Sequence, residues 1–116
     1  MKYFFDTEFH ERIKKPWFGK KYHLMELISI GIVDEDGRTY YAVSSDFDLK
    51  AAWNNEWLRD NVLYPIYKEL RDIQNESVGE RLIYGHLWQF FSYKSLKVLI
   101  SWHGKNNELI AAEIFD

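Results

Sequence analysis

Two runs near the N-terminus set the frame. Residues 2–6 are short, aromatic and apolar, and residues 24–33 are rich in Ile, Leu and Val. Both predict strands. Between the second run and the aromatic, β-branched residues 39–43 stands Asp34-Glu35-Asp36-Gly37, whose Asp-Gly step favours the positive backbone angles of a tight turn. A hairpin is expected there, giving three antiparallel strands in sequence order, with the first at or near the centre if further strands join its other side.

After Asp46 the spacing becomes helical. Asp48 suits the N-cap of a helix over residues 49–54, and residues 55–72 carry Trp57, Leu58, Val62, Leu63, Ile66, Tyr67 and Leu70 at helical intervals. Pro65 predicts a break or kink inside that pattern. Residues 74–79 read as a polar loop, and residues 82–91 as strand, helical turn or ordered loop. Helix resumes over residues 95–102, stops at Gly104 and restarts after Asn106 with Leu109, Ile110, Ala112 and Ile114. Strands first and helices after them predict an α/β or α+β layer arrangement with a mixed sheet, taken as α/β.

With 116 residues the chain reads as a single domain, residues 1–116, and its 47% apolar content suffices for a core. It has no cysteine, which excludes disulfides, thiolate zinc sites and a thiol nucleophile. No apolar stretch approaches the about 20 residues of a membrane span, and Asp6 arrives too early for a secretory leader. A cytoplasmic protein away from membranes is the expectation.

The net charge of −3 argues against a uniformly basic nucleic-acid binder. Its distribution changes that picture. Residues 10–23 set Arg12, Lys14, Lys15, Lys20 and Lys21 against Glu11 alone, a segment of +4 in a chain whose remainder sums to −7. Trp17, Phe18 and Tyr22 are interleaved with those cations. Cationic groups grip phosphates and aromatic faces stack on bases, so the segment suits a single-stranded RNA path. A solvated hairpin whose aromatics pack on the body is the equal alternative.

Asp6-Thr7-Glu8 closes the first apolar run. Residues two apart in a strand share a face, so the two carboxylates project together. Paired acids repel, which a divalent cation or a raised pKa resolves, and oxygen donors suit Mg²⁺ or Mn²⁺. A polar strand end in water is the bland alternative. Asp34, Glu35 and Asp36 read as a structural turn, Trp53, Trp57, Trp88 and Trp102 as core, and His10, His23, His86 and His103 as structural or surface histidines. Glu26 could face the acid pair if its strand lies beside the first.

The segments Phe4-Phe5-Asp6-Thr7-Glu8-Phe9, Glu26-Leu27-Ile28-Ser29-Ile30-Gly31 and Tyr40-Tyr41-Ala42-Val43-Ser44 resemble the 3'-5' exoribonuclease-like proteins of the DEDD superfamily. In particular they resemble the small bacterial exoribonuclease family first characterised in mycobacteria. Ala52-Trp53, Trp57-Leu58-Arg59, Asn61-Val62-Leu63 and the stretch from Trp102 to Phe115 extend the likeness over almost the whole chain.

The resemblance implies an RNase H-like fold and 3'-5' hydrolysis of RNA. Four acids there hold two Mg²⁺ or Mn²⁺ ions about 3.5–4 Å apart. It carries over Asp6 and Glu8 as catalytic metal ligands. The backbone around Thr7 and Phe9 would lie near the terminal nucleotide, and the charge of the basic segment separately puts Lys14, Lys15, Lys20 and Lys21 on the RNA backbone. The family's third acid, its His and its fourth acid follow the helix that resembles residues 107–115, beyond this chain's last residue, and no His here stands in an H-x-x-x-x-D context. The expectation is therefore half a metal site, little activity in the isolated chain, and pairing with a second copy to form a homodimer. The competing expectation is a catalytically incomplete RNA-binding or protein-interaction domain.

Overall fold

The computed structural model describes residues 2–78 and 87–115. The chain folds as two compact units, Met1–Phe47 with Lys105–Asp116, and Asp48–Gly104.

The first unit is a three-stranded antiparallel sheet in the order β1-β2-β3, made of β1 (Tyr3–Lys14), β2 (Tyr22–Asp34) and β3 (Thr39–Val43). The expected arrangement of antiparallel strands ahead of helices is what the structure has. Among the described residues β1 carries a strand on one side only. Gly37, at φ +83°, allows the tight turn between β2 and β3. The Asp34 carboxylate holds that turn, accepting from the backbone N–H groups of Asp36 and Arg38 at 2.9 Å and from Arg38 Nε at 2.6 Å. Desolvation pushes its pKa up, but these Arg38 and Asp36 bonds outweigh it and hold the carboxyl below the ordinary aspartate range. The three acids of this segment thus form a structural turn, as the sequence suggests.

The C-terminal helix α5 (Asn107–Phe115) belongs to the same unit. A parallel bridge between Ser44 and Lys105 ties the approach to the helix to the end of β3. Asn107 is then gripped twice, its side chain accepting from Ser44 Oγ at 2.7 Å and its N–H donating to Asp46 at 2.7 Å. Ile110 is buried, and Glu113 accepts from Tyr40 Oη at 3.0 Å and from Lys105 Nζ at 2.7 Å.

The second unit is helical. Asp48 and Asn55 cap α1 (Leu49–Trp53) and α2 (Glu56–Leu58), each through its side-chain oxygen. The kink expected at Pro65 takes a specific form. A π-helical turn over Arg59–Leu63 joins α2 to α3 (Tyr64–Val78), with the Tyr64 N–H reaching back to the Arg59 carbonyl. Widening the turn just ahead of Pro65 accommodates a residue with no N–H to give and a ring that crowds the preceding turn, so the helical path continues through it.

Residues 74–78, expected as loop, continue α3. Asn75 explains it, because its side chain accepts from Trp88 Nε1 at 2.8 Å and Gln89 Nε2 at 2.7 Å, engaging the last turn in tertiary bonds. The ambiguous stretch over residues 82–91 lies outside the described residues up to position 86, and Leu87–Gln89 is a turn of 3₁₀ helix. Ser92 caps α4 (Tyr93–His103), which stops at Gly104 as expected. The core of this unit is Leu58, Leu63, Tyr67, Leu70, Leu96 and Leu99. No helix among the described residues is long and apolar enough to cross a membrane.

Candidate nuclease site and nucleic-acid interface

Strand β1 is regular from Tyr3 to Glu8, so Asp6 and Glu8 stand on one face, about 6.6 Å apart along the chain. Asp6 is exposed and Glu8 half-buried. The residues facing them across the hairpin are small. Gly31 is opposite Asp6 and Ser29 opposite Glu8. With no side chain at Gly31, a shallow groove of about 290 Å³ opens beside Asp6, lined also by Phe4, Val33 and Thr39. A side chain there would grow toward the Asp6 carbonyl oxygen and the Tyr41 ring, each 3.8 Å from a Cβ placed at this position.

The register shifts immediately after Glu8. Ser29 faces Glu8 but Leu27 faces Phe9, which leaves Ile28 as an extra residue in β2. Ile28 is fully buried, and its carbonyl accepts from Ser44 N–H at 2.8 Å. Such a bulge bends the strand and re-aims neighbouring side chains, and bulges concentrate beside functional sites. Gly31, Ser29 and the Ile28 bulge were missed at the level of sequence. The signal for the first two is their smallness, but it becomes legible only once the register of β1 on β2 is known.

Along the same face follow His10 and Arg12, with Glu26 opposite His10. Glu26 does share the face of the acid pair, but its carboxylate is 2.8 Å from the Arg12 guanidinium, which neutralises it. His10 is buried, His23 lies 3.0 Å from Glu11, and His103 is bonded to Gln74 at 2.7 Å. His86 lies outside the described residues. Among the described residues no group of three or more His, Asp or Glu side chains is arranged to hold a metal ion. The donor set at Asp6 and Glu8, two carboxylates with space beside one of them, fits a single hydrated Mg²⁺ or Mn²⁺ rather than two ions.

Thr7 and Phe9 project to the opposite face of β1 from the acid pair. That face also bears Tyr3 and Phe5 beside a cavity of about 400 Å³, walled further by Ile32, Tyr40, Ile114 and Phe115. The side chains of Thr7 and Phe9 therefore point away from the acid pair, and only their backbone atoms border it.

The basic segment is only partly a loop. β1 runs to Lys14, paired with Tyr22, and residues 15–21 form the tip of a long two-stranded ribbon. The Lys14 side chain lies outside the described residues. Lys15, Lys20 and Lys21 are exposed, and among the described residues no carboxylate pairs with them. The tip aromatics do not pack on the body. Trp17 is 94% and Phe18 82% exposed, and their rings stack on each other at 5.4 Å with 29° between planes. Of the four tryptophans expected in the core, Trp88 is buried, and Trp53 packs on Phe91 and Tyr93. Trp102 meets Trp88 edge-on while half-exposed, and Trp57 faces water, a correction.

No protein-family model matches the chain. It is 51% identical over 63 residues to two 3'-5' exoribonucleases of Mycobacterium tuberculosis, from strains CDC 1551 / Oshkosh and ATCC 25618 / H37Rv. The match takes in 54% of this chain and 31% of each of those enzymes, so the chain spans about a third of the length of the relatives it matches.

Proposed function

We propose that this chain contributes the first acidic motif and the RNA-guiding hairpin of a metal-dependent 3'-5' exoribonuclease of the DEDD superfamily, with β1–β3 as the leading strands of an RNase H-like sheet. The observation that carries the reading is the acid pair Asp6 and Glu8 on one strand face, beside a bulge and opposite Gly31. The similarity to 3'-5' exoribonucleases supports it.

Asp6 and Glu8 would hold one divalent ion. When bound, such an ion lowers the pKa of water and stabilises the departing 3' oxygen. Gly31 leaves room for a phosphate beside Asp6. The backbone at Thr7 and Phe9 flanks the terminal nucleotide, and Lys14, Lys15, Lys20 and Lys21 bind the single-stranded RNA that leads away from it. Two carboxylates leave the second ion and the attacking water unset, so this chain alone hydrolyses RNA little or not at all.

Two measurements test the reading. Mn²⁺ titration followed by electron paramagnetic resonance should show one weakly held ion, lost in Asp6→Ala and in Glu8→Ala. Binding that survives both changes would remove the acid pair from the site. A labelled RNA oligonucleotide with Mn²⁺ should remain nearly intact. Hydrolysis by the wild-type chain but not by Asp6→Ala, abolished by chelator, would keep the exonuclease reading and overturn the half-site.

A further inference from the structure

We infer that the stacked Trp17–Phe18 pair at the hairpin tip is a distal base-stacking platform, which grips single-stranded RNA several nucleotides upstream of the 3' end presented to Asp6 and Glu8. The inference rests on the exoribonuclease reading and adds a substrate requirement to it, a minimum RNA length.

Three observations meet at the tip. The two largest apolar side chains of residues 15–21 are almost fully in water, although burying an aromatic ring is among the most favourable things a fold can do with it. The rings are mutually stacked, so they offer one continuous aromatic face rather than two loose side chains. Around them stand Lys15, Lys20 and Lys21 without an acid among residues 15–21, in a chain of net charge −3. Aromatic faces flanked by unpaired cations match a polymer that alternates planar bases with phosphates. Each stacked base is typically worth about 5- to 150-fold in affinity.

The ribbon fixes the distance. From Glu8 to Lys14 the strand runs for six residues, about 20 Å at the rise of a strand. A stacked nucleic-acid strand advances about 3.4 Å per nucleotide, so about six nucleotides bridge the gap, and a more extended strand needs fewer. The terminal nucleotide cannot touch both the acid pair and the tip. Short RNA seated at the acid pair therefore falls short of the tip, while longer RNA engages both.

Fluorescence anisotropy on the full 116-residue chain tests this, using labelled single-stranded RNA of 4 and of 12 nucleotides with Mn²⁺, in which this chain leaves RNA nearly intact. The wild-type chain should bind the 12-mer at least tenfold more tightly than the 4-mer. Trp17→Ala/Phe18→Ala should weaken the 12-mer by roughly 10- to 100-fold while changing the 4-mer less than threefold, and Trp17→Tyr/Phe18→Tyr should restore most of the loss. Unchanged 12-mer affinity in the Ala pair would overturn the platform, and equal losses on both lengths would overturn its distal placement. Loss of binding to phosphatidylcholine–phosphatidylserine vesicles with RNA affinity intact would make the tip a membrane finger and overturn the inference. If no RNA of either length binds the wild-type chain, the exoribonuclease reading itself fails, an outcome distinct from failure of the tip alone.

Discussion

The helical unit and the β1–β2 ribbon use the same aromatic residues to opposite ends. In the helical unit the rings meet each other. Phe91 sits 4.9–5.1 Å from the rings of Trp53, Tyr64 and Tyr67, and the Tyr67 hydroxyl donates to the Trp88 carbonyl at 2.8 Å with 1% of the residue exposed. On the ribbon, Tyr3, Phe4, Phe5, Phe9, Trp17, Phe18 and Tyr22 are all exposed. The contrast separates rings that hold a fold together from rings offered to something else.

Stability gives the largest expected difference. Tyr67→Ala removes a buried ring and the hydrogen bond that its hydroxyl donates to the Trp88 carbonyl, so it should cost about 3–5 kcal/mol in urea unfolding. Trp17→Ala should fall within about 0.5 kcal/mol of wild type. A loss above about 2 kcal/mol from Trp17→Ala would mean that the tip is structural, and the comparison would collapse.

That contrast was not legible in the sequence, for physical reasons. The existence of β1 and β2 was, because their apolar runs are dense. Their extent was not, since residues 7–14 lie on a ribbon with one wholly exposed face, and Thr7, Phe9, Glu11 and Ile13 show no apolar alternation to read. Asp6 and Glu8 could be placed on one face by spacing alone. Their surroundings could not, because the seven residues of the tip do not fix the register that puts Gly31 opposite Asp6 and the bulge beside Glu8. The two-residue spacing was local information, whereas the environment depended on pairing at a distance.

Electrostatics at the tip should give the next effect. Replacing Lys14, Lys15, Lys20 and Lys21 by Gln should lower RNA affinity and flatten its salt dependence, by about 0.7 in the logarithmic slope for each phosphate no longer neutralised. The same four-residue change should leave the urea midpoint nearly unmoved, since the described lysines among them have no acidic partner. An unchanged slope would remove these lysines from the RNA path.

Self-association probes the other end of the ribbon. We propose that β1, which among the described residues has a strand on one side only and has Tyr3, Phe5 and Phe115 exposed around the adjoining cavity, pairs with a second copy of the chain. Light scattering at high concentration should show a dimer, and Phe5→Lys should shift it toward monomer while leaving the aromatic cluster of the helical unit intact. A clean wild-type monomer would refute the pairing.

The smallest effect concerns how α5 is held on the sheet. The Glu113 carboxyl lies below the ordinary glutamate range, first because Lys105 bonds it and then because Tyr40 donates to it. A carboxyl lowered in the folded state stabilises above its unfolded pKa, and that stabilisation is lost as pH falls through the folded value. Stability should therefore decline on acidification below about pH 4.5, the range where an unbonded glutamate begins to titrate. Asp34, lowered in the same direction, adds to the decline. The mirror image holds at high pH. Burial, with the bond and charge of Glu113, pushes Tyr40 up to about 12, so the stabilising neutral form is lost only as pH rises toward that value. Glu113→Gln keeps an acceptor for Tyr40 Oη but removes the charge. Urea midpoints at pH 7 and pH 3.5 should then lie closer together than in wild type, with the residual gap set by Asp34. In the helical unit the Tyr67 hydroxyl donates to a backbone carbonyl, a group that does not titrate, so Tyr67→Phe should leave the acid dependence alone and act equally at both pH values. If Glu113→Gln instead leaves the acid limb unchanged, the Lys105–Glu113–Tyr40 cluster does not couple α5 to the pH response, and the turn at Asp34 carries it.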